Sequence, residues 1–228
     1  MTLAGLLLLA IGAVDLVRQF ASGTLRWIGF AAVVVVVVAL GIVSGALLST
    51  LVAVLGGVLW VWTMPDRSDV RQTSWPAAVL AVVCVLSVVA LGDEGSRGGQ
   101  VASPFGPLSL DLVILTCGVV AVLLETGNVV VRAALAGEHA WRPSPTEGGF
   151  RGGRLIGPLE RVLVFLLMLV PAYTILAAIL AAKGIVRFPE ISKDNETGAR
   201  AEYFLVGSLV SWAMALGGAL LVWWAANA

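Results

Sequence analysis

A nearly unbroken apolar run of 40 residues, Leu25 to Met64, limits this chain more than any other feature. The hydrocarbon layer of a bilayer is about 30 Å thick and takes about 20 residues of helix to cross. The run is therefore two crossings long. Gly41, Ser44 and Gly45 interrupt it near the middle and predict a tight hairpin of two helices. The Val33 to Val38 stretch is β-branched, yet in lipid a helix satisfies its own backbone and an open strand does not. Composition agrees, at 59% hydrophobic and 12% charged residues with a mean hydropathy of +1.00. So few charges cannot cover a water-facing surface.

The expected fold is all-α: a polytopic transmembrane helix bundle forming a single transmembrane domain over 1–228. Apolar helices fill 1–92, and the polar residues gather in 108–228. A first helix covers Leu3 to Val17. No basic segment precedes it, whereas Arg18 and Arg26 follow. That is the reverse of a cleavable signal peptide, so the helix is read as retained. After the hairpin come a polar loop, Pro65 to Trp75, and a helix from Pro76 to Leu91, with Pro76 suited to a first turn. Asp93 to Pro107 reads as a Gly, Ser and Pro-rich loop, and Leu108 to Val131 as a fifth helix with Asp111 in its first turn. Ala133 to Gly153 is the longest loop. Leu155 to Ala182 and Ala199 to Trp224 complete a count of seven helices. Six is the alternative, if 25–64 stays one helix or the first segment fails to span. Trp27, Trp60, Trp62 and Trp75 fall near helix ends, as an interfacial aromatic belt would have them.

With seven helices, one side collects Arg18, Arg26, Arg67, Arg71, Arg132, Arg142, Arg151 and Arg154. The other collects Arg97, Lys183, Arg187, Lys193 and Arg200. The excess favours the first side as cytoplasmic, with the N-terminus outside and the C-terminus inside.

At GGRLIGPLER, AAKGIVRFPE and EYFLVGSLVSW the chain resembles the C-terminal half of a family of bacterial integral-membrane proteins of unknown function. The matching residues include Gly153, Arg154, Ile156, Gly157, Leu159, Glu160, Arg161, Lys183, Arg187, Phe188, Glu190 and Glu202 to Leu205. The resemblance covers about a quarter of the chain. It lacks the His-bearing first helix of many members; Asp15 has no His before it. It implies a location in a bacterial plasma membrane and no chemistry.

An ionisable residue at membrane depth costs a few kcal/mol and needs a partner or a water path. Glu125, Asn128 and Arg132 are spaced to share one helical face. Glu160 and Arg161 open the next helix, and one of them should meet that face. These five form a candidate site on the cytoplasmic side, whose plainer reading is a carboxylate paired with Arg132 or Arg161 to fix helix packing. Lys183 and Arg187, four residues apart, would repel on one face unless an anion or Glu190 and Glu202 lay between them. With Tyr203 they form an outer candidate site for a lipid-phosphate-like ligand; plain interfacial anchoring is the alternative. One uninterrupted helix from Arg161 to Lys183 would hold the two sites about 33 Å apart, unless Pro171 breaks it. Gly207, Ser211 and Ala215 make a small-residue strip for close helix approach.

Two isolated cysteines, Cys84 and Cys117, and one His argue against a metal site. No cofactor or nucleotide motif is present, and a net charge of zero leaves no nucleic-acid footprint. Asn195-Glu196-Thr197 matches a glycosylation sequon by chance. The expected partners are membrane lipid and other membrane subunits or further copies of the chain. Three functions stay open: binding or translocating an ion or anionic amphiphile, an accessory or scaffold subunit of a membrane complex, and an enzyme acting on a lipid phosphate.

Overall fold

The computed structural model describes residues 1–64, 75–90, 99–103, 106–137, 153–191 and 199–227. Among them the helices are α1 Thr2–Phe20, α2 Gly23–Val43, α3 Leu47–Thr63 and α4 Trp75–Ala90, followed by α5 Leu110–Ala121. A π-turn, Val122–Thr126, joins α5 to α6 Gly127–Gly137. The last three are α7 Gly153–Leu169, α8 Tyr173–Ile191 and α9 Ala199–Asn227. Counting α5, the π-turn and α6 as one rod gives eight rods among the described residues. Four stretches are long and apolar enough to cross a membrane: Thr2–Phe20, Gly23–Val43, Leu110–Ala136 and Ala201–Asn227. The all-α class stands. Seven is not the number found.

The extra rod comes from Pro171. The expected single helix from Leu155 to Ala182 stops at Leu169 and restarts at Tyr173, with a turn at Val170 and Pro171. Proline supplies no backbone N–H and its ring clashes with the preceding turn, so the chain reverses here. The Leu25–Met64 run does split where its glycines lie. Gly45 takes a positive φ of 67°, and any Cβ on Gly41 would collide with the Thr50 side chain. Two smaller differences concern the fifth helix. It continues to Gly137, past the expected start of the long loop, and a short antiparallel hairpin, β1 Gln100–Ser103 and β2 Gly106–Ser109, occupies part of the expected loop before it. The Ser109 side chain caps α5 by accepting from the Leu112 N–H at 3.3 Å. Asp111 lies in the first turn, as expected, but is buried.

Helix α1 is the centre of the bundle, packing on α5, α3 and α2. Its glycines face α5 at backbone contact. A Cβ on Gly12 would lie 2.7 Å from the Ala121 carbonyl carbon, and one on Gly5 would lie 2.9 Å from the Leu115 nitrogen. Close backbone approach through small residues is how helices associate without a hydrophobic driving force. The same contacts fix direction: Gly5 meets Leu115 and Gly12 meets Ala121, so α1 and α5 run parallel. Gly218 meets Val119 while Gly207 meets Val131 and Leu135, so α9 runs antiparallel to α5–α6. The start of α1 and the end of α9 therefore lie at the same end of the bundle. The expected arrangement, with termini on opposite faces, is not found, because an eighth rod changes the parity.

Tyr203 and Trp223 bracket α9 at positions 20 residues apart, or about 30 Å of helix, the thickness of the apolar layer. Phe20, Trp27, Trp62 and Trp75 are exposed around the end of the bundle where α9 begins, and Trp223 and Trp224 around the other. Trp60 departs from the expected belt and is buried.

Candidate functional site

Among the described residues, ionisable side chains form three buried or half-buried clusters, each built from side chains that begin on different helices. In the first, Asp15 of α1 is 2% exposed. Its Oδ2 accepts from Trp60 Nε1 at 3.0 Å and from Thr126 Oγ1 at 2.8 Å. Arg18, one turn on, lies 3.3 Å from Asp15 Oδ1. Its guanidinium also donates to the Met64 carbonyl at 2.9 Å and the Val61 carbonyl at 2.7 Å. Those carbonyls end α3, where no further turn of helix is available to bond them. The cluster thus ties α1, α3 and the π-turn together.

The second cluster forms on the π-turn. Arg161, 2% exposed, donates from Nε to the Leu123 carbonyl at 2.7 Å and from Nη2 to the Leu124 carbonyl at 3.4 Å. It also donates to Asn128 Oδ1 at 2.7 Å and to Ser211 Oγ at 3.4 Å. A π-turn disturbs the regular ladder of helical bonds, and a planar guanidinium with five donors suits the carbonyls it leaves available. Gly127 makes room: a Cβ there would lie 2.6 Å from Arg161 Nε. Asn128 Nδ2 donates to Glu125 Oε2 at 3.2 Å. Of the expected cytoplasmic set, Glu125, Asn128 and Arg161 come together, while Arg132 is exposed.

Glu160 leaves that set and forms the third cluster. Lys183 Nζ lies 2.6 Å from Glu160 Oε2 and 2.7 Å from Oε1, and Trp212 Nε1 donates to Oε1 at 2.8 Å. The ammonium also faces the rings of Trp212 and Phe204, at 5.3 and 5.6 Å from their centroids. The reversal at Pro171 folds α8 back along α7 and returns Lys183 to the level of Glu160. Two sites at opposite ends of one helix are thereby corrected to neighbouring clusters. Of the expected outer set, Glu202 is exposed and Tyr203 half-buried, whereas the side chains of Arg187 and Glu190 lie outside the described residues.

A cavity of about 380 Å³ lies between α1, α4, α5–α6 and α9. Leu8, Leu80, Cys84, Val122, Thr126 and Met214 are among its walls, and among the described residues no charged one is. Thr126 links it to the first cluster, since its hydroxyl is the one donated to Asp15.

Sequence reasoning missed the first cluster and the cavity. Asp15 and Arg18, spaced three apart within an apolar helix, carried a readable signal of pairing. Trp60 and Thr126 carried none. The strip of Gly207, Ser211 and Ala215 does face other helices: Ser211 and Ala215 are buried and Gly207 approaches Val131 and Leu135. No protein-family model, no curated protein and no solved structure matches the chain, and the resemblance noted around Gly153 to Leu205 gains nothing from these comparisons.

Proposed function

We propose that the chain is a multi-pass membrane protein that holds the apolar part of a membrane amphiphile within its bundle, while its buried charges fix the helices around that space. The observation that carries this reading is the cavity of about 380 Å³ with its uncharged walls. Its size lies in the range of small-molecule sites, roughly 300–1,000 Å³. With no basic residue among the described residues of its walls, the cavity selects for a chain and not for an anionic headgroup. The clusters support the structural half of the reading, since Asp15, Glu160, Arg161 and Lys183 each have protein partners at hydrogen-bond distance.

The pairing of the Lys183 ammonium with Glu160 supports the binding reading ahead of an enzyme acting on a lipid phosphate. An accessory-subunit role keeps one supporting observation: α2, α3 and α4 expose many large apolar side chains, Val35, Leu48, Leu55 and Val82 among them, which a partner helix would cover as well as lipid.

We assign the protein to a bacterial plasma membrane, with the start of α1 and the end of α9 on the non-cytoplasmic side. In the sequence, eleven Lys and Arg residues fall between or beside the ends of α1 and α2, α3 and α4, α6 and α7, and α8 and α9, whereas Arg97 alone falls between α4 and α5. An excess that large marks the cytoplasmic face.

Replacing Ala213, a small residue of the cavity wall, by Trp tests the binding role. Lipid retained by the purified protein, measured by native mass spectrometry, should fall by more than half. Unchanged retention in a folded A213W protein sinks the reading. A stoichiometric partner chain in place of lipid would transfer the cavity to the subunit role.

A further inference from the structure

We propose that Glu160, Trp212 and Phe204 form a binding site for a lipophilic ammonium cation, which Lys183 occupies from within the chain. The site is separate from the cavity, whose walls include none of these four residues.

Three observations carry the proposal. The chemistry is that of ammonium recognition: a carboxylate 2.6 Å from the ammonium nitrogen and two aromatic faces at 5.3 and 5.6 Å. Rings at this range attract a cation through their negative faces, and cages of this kind hold alkylated ammonium groups. The Trp212 N–H at 2.8 Å fixes the carboxylate independently of Lys183, so the acceptor stays oriented when the lysine leaves.

The second observation is accessibility. The Lys183 and Glu160 side chains are 23% and 13% exposed, unlike the closed surroundings of Asp15 and Arg161. Trp212 lies nine residues beyond Tyr203, or about 14 Å along α9, so this opening faces the apolar layer. A cation arriving there must be carried by apolar substituents.

Third, α8 is lightly held. Tyr173, Ile175, Ile185 and Val186 are all exposed, and Leu176 is its one core residue among those described. Lys183 is the charged contact that fastens α8 to the rest of the bundle among the described residues. A competing cation therefore displaces one flexible side chain and leaves the core intact.

The ligand class is an ammonium group on an apolar body. A membrane-partitioning organic amine supplies it at this depth, whereas the amine headgroup of a phospholipid supplies it only by being drawn inward from the interface, and the experiment separates them. Full-length protein with Lys183→Ala is placed in phosphatidylglycerol nanodiscs and its thermal midpoint is followed as tetrapropylammonium chloride is added. The midpoint should rise by about 3 °C at saturating salt. The wild type should shift by less than half as much, because its own ammonium competes, and Glu160→Gln combined with Lys183→Ala should not respond. A second set of discs replaces the salt with phosphatidylethanolamine. A rise with the salt alone identifies a free amine as the ligand, and a rise with the lipid alone identifies the headgroup. No rise in either, or an equal rise without Glu160, overturns the proposal. Lys183→Gln, neutral and similar in length, takes the place of the alanine variant if that variant does not fold.

Discussion

Lys183 and Glu160 are 23 positions apart in the chain, yet their charged atoms meet at 2.6 Å because Pro171 lies almost midway between them. The turn makes the separation along one arm nearly equal to that along the other. The pair belongs to the hairpin and not to either helix alone.

Removing one member leaves the other charged in the apolar layer, which costs about 3 kcal/mol, whereas removing both leaves no orphan. Glu160→Gln and Lys183→Met should each lower the thermal midpoint in detergent by several degrees. The double variant should be more stable than either single one. Additive losses in a double-mutant cycle would show that the two side chains act independently.

Gly127 is where α6 makes room for the Arg161 guanidinium. Gly127→Ala should lose about 1–3 kcal/mol through overpacking, because its Cβ would stand 2.6 Å from Nε. Arg161→Lys should also destabilise, since a lysine offers no planar fork for the Leu123 and Leu124 carbonyls. Denaturation midpoints of the two variants check both; a neutral Gly127→Ala would mean that the arginine relocates freely.

At the Asp15 cluster the order of effects is informative. Trp60→Phe removes one donor and keeps the ring, so it should cost about 1 kcal/mol. Asp15→Ala leaves Arg18 buried beside no carboxylate and should cost about 3–5 kcal/mol. Equal losses by thermal unfolding would contradict the assigned roles.

Gly12 tests the α1–α5 contact. Gly12→Val would press its side chain into the Ala121 and Val122 backbone, where even a Cβ lies at 2.7 Å. Backbone yields less readily than a side-chain tip, so this variant should fail to assemble. The readout is loss of the monodisperse peak on size exclusion. Gly184→Ala, at a helical position with open space around it and an ordinary backbone conformation, keeps that peak.

Orientation has its own measurement. Alkaline phosphatase fused after Ala228 should be active and green fluorescent protein fused there dark, as a non-cytoplasmic C-terminus requires. The opposite pair of results would reverse the assignment.

Membrane helices were legible in the chain because the bilayer acts on each segment separately. A run of 40 apolar residues must cross twice, and Gly41 and Gly45 are where a tight reversal is tolerated. Pro171 was harder to read. The apolar stretch around it is short enough for one crossing, and proline is tolerated inside membrane helices, so length alone allowed either path. Arg161 was expected to face the Glu125 and Asn128 side of the fifth helix if Glu160 did not, and it does. Glu160 finding Lys183, and Asp15 finding Trp60 and Thr126, had no local signal.

By itself, then, the sequence determined the solvent this chain is built for, its helical class and the hairpin at Ser44, since each follows from hydropathy and local backbone chemistry. Tertiary structure alone decided which charges meet, which end of the bundle each terminus occupies and where a cavity opens. Those depend on how helices distant in sequence align, and that alignment is set by contacts such as Gly12 on Ala121, whose partners no local pattern names.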